Sequence, residues 1–384
     1  MPDDDIPFNR PSVVGDEYAN IADAVRGGIL SAGGPFSRRC ERRLEEMTGS
    51  VRAILTHTCT DALEMAVLLA GIGPGDEVIM PSFTFVSAAT AVALRGGVPV
   101  FVDIDPVSLN LDPEAVEAAI TPATRAVLAV HYASVGTGID RLAEICERRG
   151  LTLIEDAAHA VGATYLGRPL GSFGWLATLS FHETKNLTSG EGGALLINDP
   201  ALVARAEVIA DKGTDRARFE RGETQKYVWH DIGSSFRASE LTAAFLSAQL
   251  DKQGDILARR RELWARYHAG LEGLERGGRL ARPRIPPACG TNGHIYYILL
   301  PDEDRRRTLI DGLLSYGIHT VFHYVPLHDS PGGRRYGRAS GSLPHTNSIA
   351  SRILRLPMHL ALSEGDVDRV VATMRKNLET AEWG

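Results

Sequence analysis

Lysine and cysteine are scarce in this chain of 384 residues. Five of its 41 basic residues are lysines, and four cysteines occur without CxxC or CxxH spacing. The cysteine pattern argues against a metal site and favours reduced thiols. The sequence also has no run of 18 apolar residues and begins with an acidic, polar segment. We therefore expect neither a membrane span nor a secretory signal, and a cytoplasmic protein.

The net charge and the position of one glycine-rich segment argue against two further classes of function. A formal net charge of −7 disfavours nucleic acid as a partner. The glycine-rich segment 71–75 follows a predicted helix and precedes a predicted strand. A dinucleotide-binding fingerprint requires the reverse order, which weighs against a nicotinamide oxidoreductase.

Strand and helix signals alternate along the first half of the chain. This alternation, with 44% hydrophobic residues, predicts an α/β fold with a mostly parallel sheet and helices on both faces. We place an N-terminal arm and a large domain in residues 1–250, and a smaller α/β domain in residues 251–384. A helix is expected from Arg237 to Leu250 and onward through Arg266, and a strand over residues 320–324. Residues 213–235 are predicted to form a long polar loop.

The stretch from Leu151 to Gly193 carries the strongest chemical signal. One apolar run ends in Glu155 and Asp156, and a second apolar run leads into Lys185. In open α/β sheets, ligands lie at the carboxyl ends of strands. An acid at one strand end and a lysine after another suit pyridoxal phosphate (PLP), which needs an amine for a Schiff base and a carboxylate for its pyridine nitrogen.

Most lysines that follow a strand are solvated surface charges. In this chain, however, arginine replaces lysine almost everywhere, and arginine cannot form a Schiff base because it does not lose its proton. The other four lysines lie in polar, helix-like or arginine-rich surroundings, whereas Lys185 stands between an apolar strand and a glycine-rich loop. The context therefore favours Lys185 as a functional amine.

Several motifs carry a family resemblance. EDAAH, SFHETKN and GEGG in the central stretch occur with PFNRPSVVG, PSFTFVSAAT, VHYASV, KGTDRARF, DIGSSF and FHYVPLH elsewhere. Together they resemble the DegT-type sugar aminotransferases of PLP fold type I, over nearly the whole chain. Within that family, the sequence looks most similar to enzymes that aminate C4 of dTDP-sugars, including those of actinomycete secondary metabolism.

The resemblance implies roles for individual residues. Lys185 would hold PLP and move the substrate proton, and Asp156 would pair with the ring nitrogen. The turn before the helix at Ala62 fits an anion site or a simple N-cap, and the family places the cofactor phosphate there. The implied cofactor contacts are Thr60, Asp61, Phe85, Asp156, Ala158, His159, Ser180 and Lys185.

Further implied contacts concern a second subunit and the substrate. Relatives reach across a homodimer to the phosphate with an asparagine, where this chain has Ser235, and Arg237 is a nearby candidate donor or a surface residue. The substrate candidates are Phe8, Gly34, Tyr324 and His328. No metal is expected.

The resemblance implies transfer of an amino group from L-glutamate to C4 of dTDP-4-dehydro-6-deoxy-D-glucose. Lysine at position 185 favours transamination over deoxygenation, because related sugar dehydratases carry histidine there. Amination at C3 of an isomeric keto sugar and a non-catalytic PLP-binding regulator are the alternatives. The configuration of the new amine, the exact sugar nucleotide and the pathway are left open by the sequence.

Overall fold

A central sheet organises the molecule, as the alternating signals predict. The computed structural model describes residues 5–136 and 138–380. Within them the strands are β1 (Arg52–Thr56), β2 (Glu77–Pro81), β3 (Val98–Val102), β4 (Thr124–Val130), β5 (Thr152–Asp156), β6 (Thr164–Tyr165), β7 (Arg168–Pro169), β8 (Leu176–Ser180), β9 (Gly193–Ile197), β10 (Cys289–Gly290), β11 (Tyr297–Leu299), β12 (Arg338–Ala339) and β13 (Ile353–Arg355).

Helices flank this sheet and make up much of the later part of the chain. In the same residues the α-helices are α1 (Glu17–Arg26), α2 (Pro35–Thr48), α3 (Cys59–Leu69), α4 (Ser87–Leu94), α5 (Pro113–Ala119), α6 (Ile139–Arg149), α7 (Val203–Ala210), α8 (Arg216–Glu220), α9 (Glu240–Asp251), α10 (Gln253–Gly270), α11 (Glu272–Arg276), α12 (Glu303–Leu314), α13 (Pro331–Tyr336), α14 (Pro344–Arg352) and α15 (Glu364–Thr380). Short 3-10 helices span Tyr132–Ser134, Pro200–Leu202 and Leu327–Asp329. None of the described helices is long and apolar enough to cross a membrane.

The strand order brings many strand ends together. The largest sheet has the order β1-β9-β8-β5-β4-β2-β3-β12. In it β9 pairs antiparallel with β1 and β8, and the other pairs are parallel. The carboxyl ends of the parallel strands therefore share one edge, and β9 begins at that edge. Its first residue, Gly193, lies opposite both Thr56 and Ser180.

Two buried clusters cover the two faces of this sheet. Ala53 and Leu55 of β1 belong to one cluster, with side chains from α2 and α6. Ile54, between them, belongs to the other, with side chains from α3, α4 and α7. This alternation follows from the two-residue period of an extended strand. The arrangement confirms the predicted α/β sheet with helices on both faces.

The later part of the chain has its own buried cluster. It contains side chains from α10, α12, α15, β11 and β13, together with Ile6 of the N-terminal arm. The backbone of Ile6 bonds to Gly317 and His319, at 2.8 and 3.0 Å, so the arm is attached to this part of the protein. The predicted domain division at residue 250 stays a prediction, and residues 1–4 and 381–384 within those bounds lie outside the described residues.

Two predicted elements were wrong. The helix expected from Arg237 begins at Glu240, where the Ser239 side chain caps its first turn, and it is interrupted at Lys252 before α10 begins. The expected strand at residues 320–324 is reduced, within the described residues, to a single bridge between Val321 and Arg355. The chain then turns towards the edge of the large sheet, where the N–H of Leu327 bonds to the carbonyl of Ser82.

Glu155 is a buried carboxylate, and both of its oxygens form hydrogen bonds with other residues of the chain. One oxygen lies 2.7 Å from His131 Nε2 and accepts from Gly171 N–H, and the other accepts from the N–H groups of Phe173 and Gly174. Burial acts to raise the pKa of Glu155, but the bonds to His131 and the backbone are together stronger and hold it below its ordinary value. Glu155 therefore fastens the loop before β8 to the end of β5.

We predict that Glu155→Gln lowers the free energy of unfolding by roughly 2–4 kcal/mol at pH 7, because an amide offers fewer acceptors to these donors. A carboxylate with a depressed pKa stabilises the fold above its unfolded pKa of about 4.5, and this contribution is lost as pH falls through the folded value. The difference between variant and wild type should shrink below that pH in urea titrations. Glu147→Gln, at an exposed position of α6, is the control, and an equal loss there would contradict the assignment.

Candidate active site

Asp156 ends β5 at the shared edge of the sheet and, unlike Glu155, has few partners. Its Oδ1 accepts from the N–H of Ala158 at 3.0 Å, and this is the one hydrogen bond of its carboxylate to the described residues. Burial raises the pKa of Asp156, while the Ala158 N–H, Lys185 and His131 act in the opposite direction. A buried carboxylate with an unused oxygen can accept a proton-bearing nitrogen from a ligand.

Lys185 lies in the turn after β8, where its N–H bonds to the carbonyl of His182 at 2.9 Å. Its amine has no hydrogen bond or ion pair with any residue in the described part of the chain. Burial lowers the pKa of Lys185 to about 8, with Arg355 acting in the same direction, while Cys59 and Asp156 raise it. A substantial fraction of this amine is therefore neutral near physiological pH, as a nucleophile requires.

The first turn of α3 presents backbone donors at the same edge. Thr58 is the N-cap, and its Oγ1 accepts from the N–H of Asp61 at 3.1 Å while Asp61 Oδ2 accepts from the N–H of Thr58 at 2.9 Å. The N–H of Asp61 is thus already used, which does not fit its predicted contact with phosphate. Among the described residues, the N–H groups of Cys59 and Thr60 have no partner. They lie at the positive end of the helix dipole and can bind an anion.

Gly193 is packed directly against this turn. A Cβ at position 193 would come within 2.4 Å of the Thr58 carbonyl group and within 2.5 Å of the Cys59 nitrogen, so only glycine lets β9 approach so closely. Ser180, which pairs with Gly193 from the other side, is buried. Among the described residues, its hydroxyl accepts only a long contact of 3.5 Å, from the His182 N–H. Gly193 therefore lies between Ser180 and the turn that leads into Thr60.

Phe85 lies close to the same turn. Ser87, at the start of α4, has its hydroxyl 2.7 Å from that of Thr60, which ties the segment carrying Phe85 to α3. The Phe85 ring is 59% exposed although the neighbouring Phe83 is buried. An exposed aromatic ring at a strand end is available to stack on a planar ligand.

His159 follows the Asp156 segment and is buried. Its ring lies 4.6 Å from that of His294 and 5.7 Å, edge-on, from that of Tyr132. Burial lowers the pKa of His159 well below its ordinary value, so the ring is neutral. Its Nδ1 is buried and has no hydrogen-bond partner in the structure. A buried polar atom of this kind is available to a polar group of a ligand.

The segment after α12 brings Tyr324 and His328 to the edge. The Tyr324 ring stacks on that of His323 at 4.0 Å and meets Phe83 edge-on at 5.4 Å. The charge of Asp156 acts on the pKa of Tyr324, which burial raises. The N–H of His328 donates to Ser82 Oγ at 3.0 Å, and its Nδ1 lies 2.7 Å from the same hydroxyl. Both predicted substrate residues are thus near the ends of β2 and β5.

Arg355, at the end of β13, is a basic residue that the sequence analysis did not identify. Its Cζ lies 4.8 Å from the centre of the Phe8 ring, which places the predicted substrate residue Phe8 over the guanidinium. Its charge acts on the pKa values of Lys185, His159 and His323, which burial lowers. The available signal was an arginine inside the apolar run from Ile353 to Met358.

Two further predicted contacts do not fit the structure. The Arg237 guanidinium is neutralised within its own chain by Asp211 and Glu41, at 2.9 and 3.5 Å, so it is neither a free donor nor on a helix surface. Gly34 is buried as the N-cap of α2, against the Glu240 carboxylate that bonds the next residues. Gly34 therefore packs within the fold, which does not fit its predicted contact with substrate.

Ser235 is exposed, and its backbone bridges to Asp211. No cluster of histidine, cysteine, aspartate or glutamate in residues 5–136 and 138–380 is suited to hold a metal ion.

Comparisons with known proteins fit this geometry. The chain is 32% identical over 386 residues to the spore coat polysaccharide biosynthesis protein SpsC of Bacillus subtilis, with 98% of each sequence covered. Its fold is similar to that of Spr1654 from Streptococcus pneumoniae in the PLP-form (TM-score 0.89, 26% identity, 98% and 99% coverage). It is also similar to DesI, determined in the presence of its TDP-sugar product (TM-score 0.87, 31% identity, 98% and 94% coverage).

These matches confirm the predicted fold class, enzyme class and cofactor. The sequence also matches the family described as DegT/DnrJ/EryC1/StrS aminotransferases over residues 11–375. The chain therefore belongs to the DegT/DnrJ/EryC1/StrS aminotransferase family, and it is a PLP-dependent sugar aminotransferase.

Proposed function

We propose that this enzyme transfers an amino group from L-glutamate to C4 of dTDP-4-dehydro-6-deoxy-D-glucose, giving a dTDP-4-amino-4,6-dideoxy-hexose. The observation that carries the proposal is the pair formed by Lys185, whose amine is unpaired in the described structure, and Asp156, whose carboxylate keeps an unused oxygen. The relative DesI, whose structure was determined with a TDP-sugar product, supports the substrate class.

The residues at the sheet edge fit PLP. The N–H groups of Cys59 and Thr60, with the hydroxyls of Thr60 and Ser180, would hold the phosphate. Asp156 would bind the ring nitrogen, and the unpartnered Nδ1 of His159 would be available to a polar group of the cofactor. When bound, PLP supplies an aldehyde that amines can attack and a ring that accepts electrons.

Lys185 has two tasks in this account. Its neutral amine would hold the cofactor, and the same amine would take and return the proton at the reacting carbon of the substrate. A pKa of about 8 suits both tasks, because the amine exchanges protons readily near neutral pH. Asp156 would keep its charge opposite a protonated ring nitrogen, and this charge would favour that protonation state of the ring.

A second copy of the chain completes the site in this proposal. Ser235 is exposed, and the loop before it carries exposed apolar side chains at Val228, Trp229 and Ile232. An apolar group of this size on a loop is typical of an interface. We infer a homodimer in which Ser235 reaches the phosphate held by the partner.

Product analysis tests the proposal. Holoenzyme incubated with L-glutamate and dTDP-4-dehydro-6-deoxy-D-glucose should yield a sugar nucleotide that NMR identifies as aminated at C4. If the enzyme instead aminates C3 of an isomeric keto sugar, the proposed substrate is wrong and the alternative is correct. Absence of any amination, with PLP bound to Lys185, would favour a non-catalytic regulator.

We predict that borohydride reduction of the holoenzyme attaches PLP to Lys185, and that Lys185→Ala and Lys185→Arg both abolish the attachment. Arginine fails because its pKa keeps it protonated. The readout is mass spectrometry of the labelled peptide. Lys226→Ala, in the exposed loop, is the control and should label normally. Label on any other lysine would contradict the assignment.

The apoenzyme should combine with PLP faster as pH rises through about 8, because the neutral fraction of Lys185 grows. Rates that do not change between pH 6 and 9 would show that its pKa is not depressed.

We expect Asp156→Asn to retain PLP but to slow the half-reaction with L-glutamate by roughly a hundredfold or more, because the ring nitrogen loses its charge partner. Single-turnover absorbance measurements follow this step. Glu155→Gln is the control for a structural effect. It should lower the free energy of unfolding but leave the single-turnover rate unchanged. Near-normal kinetics in Asp156→Asn would assign Asp156 a structural role.

Binding of PLP and dimerisation should strengthen each other if the phosphate is held from both chains. We predict that Ser235→Asp weakens PLP binding and removes the stabilisation of the dimer by PLP, because a carboxylate then faces the phosphate. Sedimentation at dilution, with and without PLP, measures this linkage. Ser234→Asp adds the same charge one residue away and should have a smaller effect. A fully active monomer would refute the shared site.

A further inference from the structure

A cavity lies between α2 and α9 and shares no residue with the PLP site. It has a volume of about 200 Å³. A cavity needs only about 10–15 Å³ to hold a water molecule, so this one has room for a polyatomic ion. The charged and hydroxyl-bearing residues that line it are Arg39, Arg42, Arg43 and Glu46 of α2, and Ser247 and Asp251 of α9.

The three arginines lie on one face of α2. Positions 39, 42 and 43 are three and four residues apart, the spacing that brings side chains together on a helix. Like charges at this spacing repel one another, so the group requires anions nearby. The protein supplies two of them. Arg39 pairs with Asp251 at 2.7 Å, and Arg43 pairs with Glu46 at 3.2 Å.

The lining keeps an excess of positive charge. Within residues 5–136 and 138–380, Arg42 forms no ion pair or hydrogen bond, so three guanidinium groups face two carboxylates and the net charge is +1. The thiol of Cys40, which also lines the cavity, donates to the Ala243 carbonyl at 3.3 Å, and burial raises its pKa, so it stays neutral. The two paired arginines each use one of five N–H donors in their ion pairs, which leaves donors for a ligand.

Ser247 lines the same cavity from α9. The residue is 1% exposed, and its hydroxyl is buried and has no hydrogen-bond partner among the residues that the structure describes. Buried hydroxyls in folded proteins are normally hydrogen-bonded, so an unpartnered one indicates a polar group that completes the site. A serine hydroxyl can donate to an oxyanion that the neighbouring arginines bind.

We propose that this cavity binds a phosphate group, with the three arginines of α2 as charged donors and Ser247 as a neutral donor. Forked donors from several guanidinium groups match a tetrahedral anion, whose oxygens point in four directions, whereas a carboxylate offers two oxygens in one plane. The phosphate is either the free ion or the phosphate of a small phosphomonoester. The inference does not depend on which sugar the enzyme aminates.

Calorimetric titration of the holoenzyme with inorganic phosphate at constant ionic strength tests the site, because PLP then occupies the cofactor's own phosphate site. Arg42→Gln should weaken phosphate binding by roughly tenfold or more, the loss expected when a charged hydrogen-bond donor is removed. Ser247→Ala should weaken it by roughly threefold or more.

Arg38→Gln is the matched control. It removes one positive charge from an exposed position of α2 that does not line the cavity, and it should bind phosphate as wild type does. Thermal unfolding gives a second readout, because a ligand that binds only the native state raises the melting temperature. Phosphate should raise the melting temperature of wild type and Arg38→Gln more than that of Arg42→Gln.

A second titration, with a hexose 1-phosphate, identifies the source of the phosphate group. Tighter binding than that of inorganic phosphate, lost in Arg42→Gln, would assign the site to a phosphomonoester, and weaker binding would assign it to the free ion. Equal phosphate affinity in wild type and Arg42→Gln, or no measurable binding of either compound to wild type, would overturn the proposal. Acetate binding as tight as that of phosphate would also overturn it, because the site would then not select phosphate.

Discussion

The parallel direction of the strands is the constraint on which the site depends. Because every strand of the large sheet except β9 points the same way, their carboxyl ends meet at one edge. Asp156, Ser180 and the turn before α3 lie along that edge although they are far apart in sequence. The reversed strand β9 adds Gly193 between them, and its missing side chain lets the α3 turn approach the sheet.

Two adjacent carboxylates show how the fold separates support from chemistry. Successive residues of a strand point to opposite faces, so Glu155 and Asp156 enter different surroundings. Glu155 accepts from three backbone N–H groups and contacts His131, so its bonds are used within the protein. Asp156 accepts a single bond from Ala158 and keeps an oxygen for a ligand. The first carboxylate fixes the position of the second.

Local sequence was enough to predict where strands end and which lysine is functional. Apolar runs ending in Asp156 and leading to Lys185 predicted the strand ends, and the scarcity of lysine singled out Lys185. The errors arose where the role of a residue depends on partners that are distant in sequence. Gly34 packs against Glu240, and Arg237 forms ion pairs with Asp211 and Glu41. No local sequence pattern reveals these partners.

Arg355 was missed for the same reason. In an arginine-rich chain it resembles a surface residue, and its position against Phe8 appears only when the chain is folded. The N–H of Asp61 was assigned to an anion, but it belongs to the capping box with Thr58 because Asp61 itself completes that box.

The most direct test of the account is the crystal structure of the enzyme with PLP. We expect the phosphate at the N–H groups of Cys59 and Thr60, a covalent bond to Lys185, and the ring nitrogen within hydrogen-bond distance of Asp156. A cofactor bound to Lys185 with its phosphate away from the α3 turn, or with its ring nitrogen away from Asp156, would contradict the account.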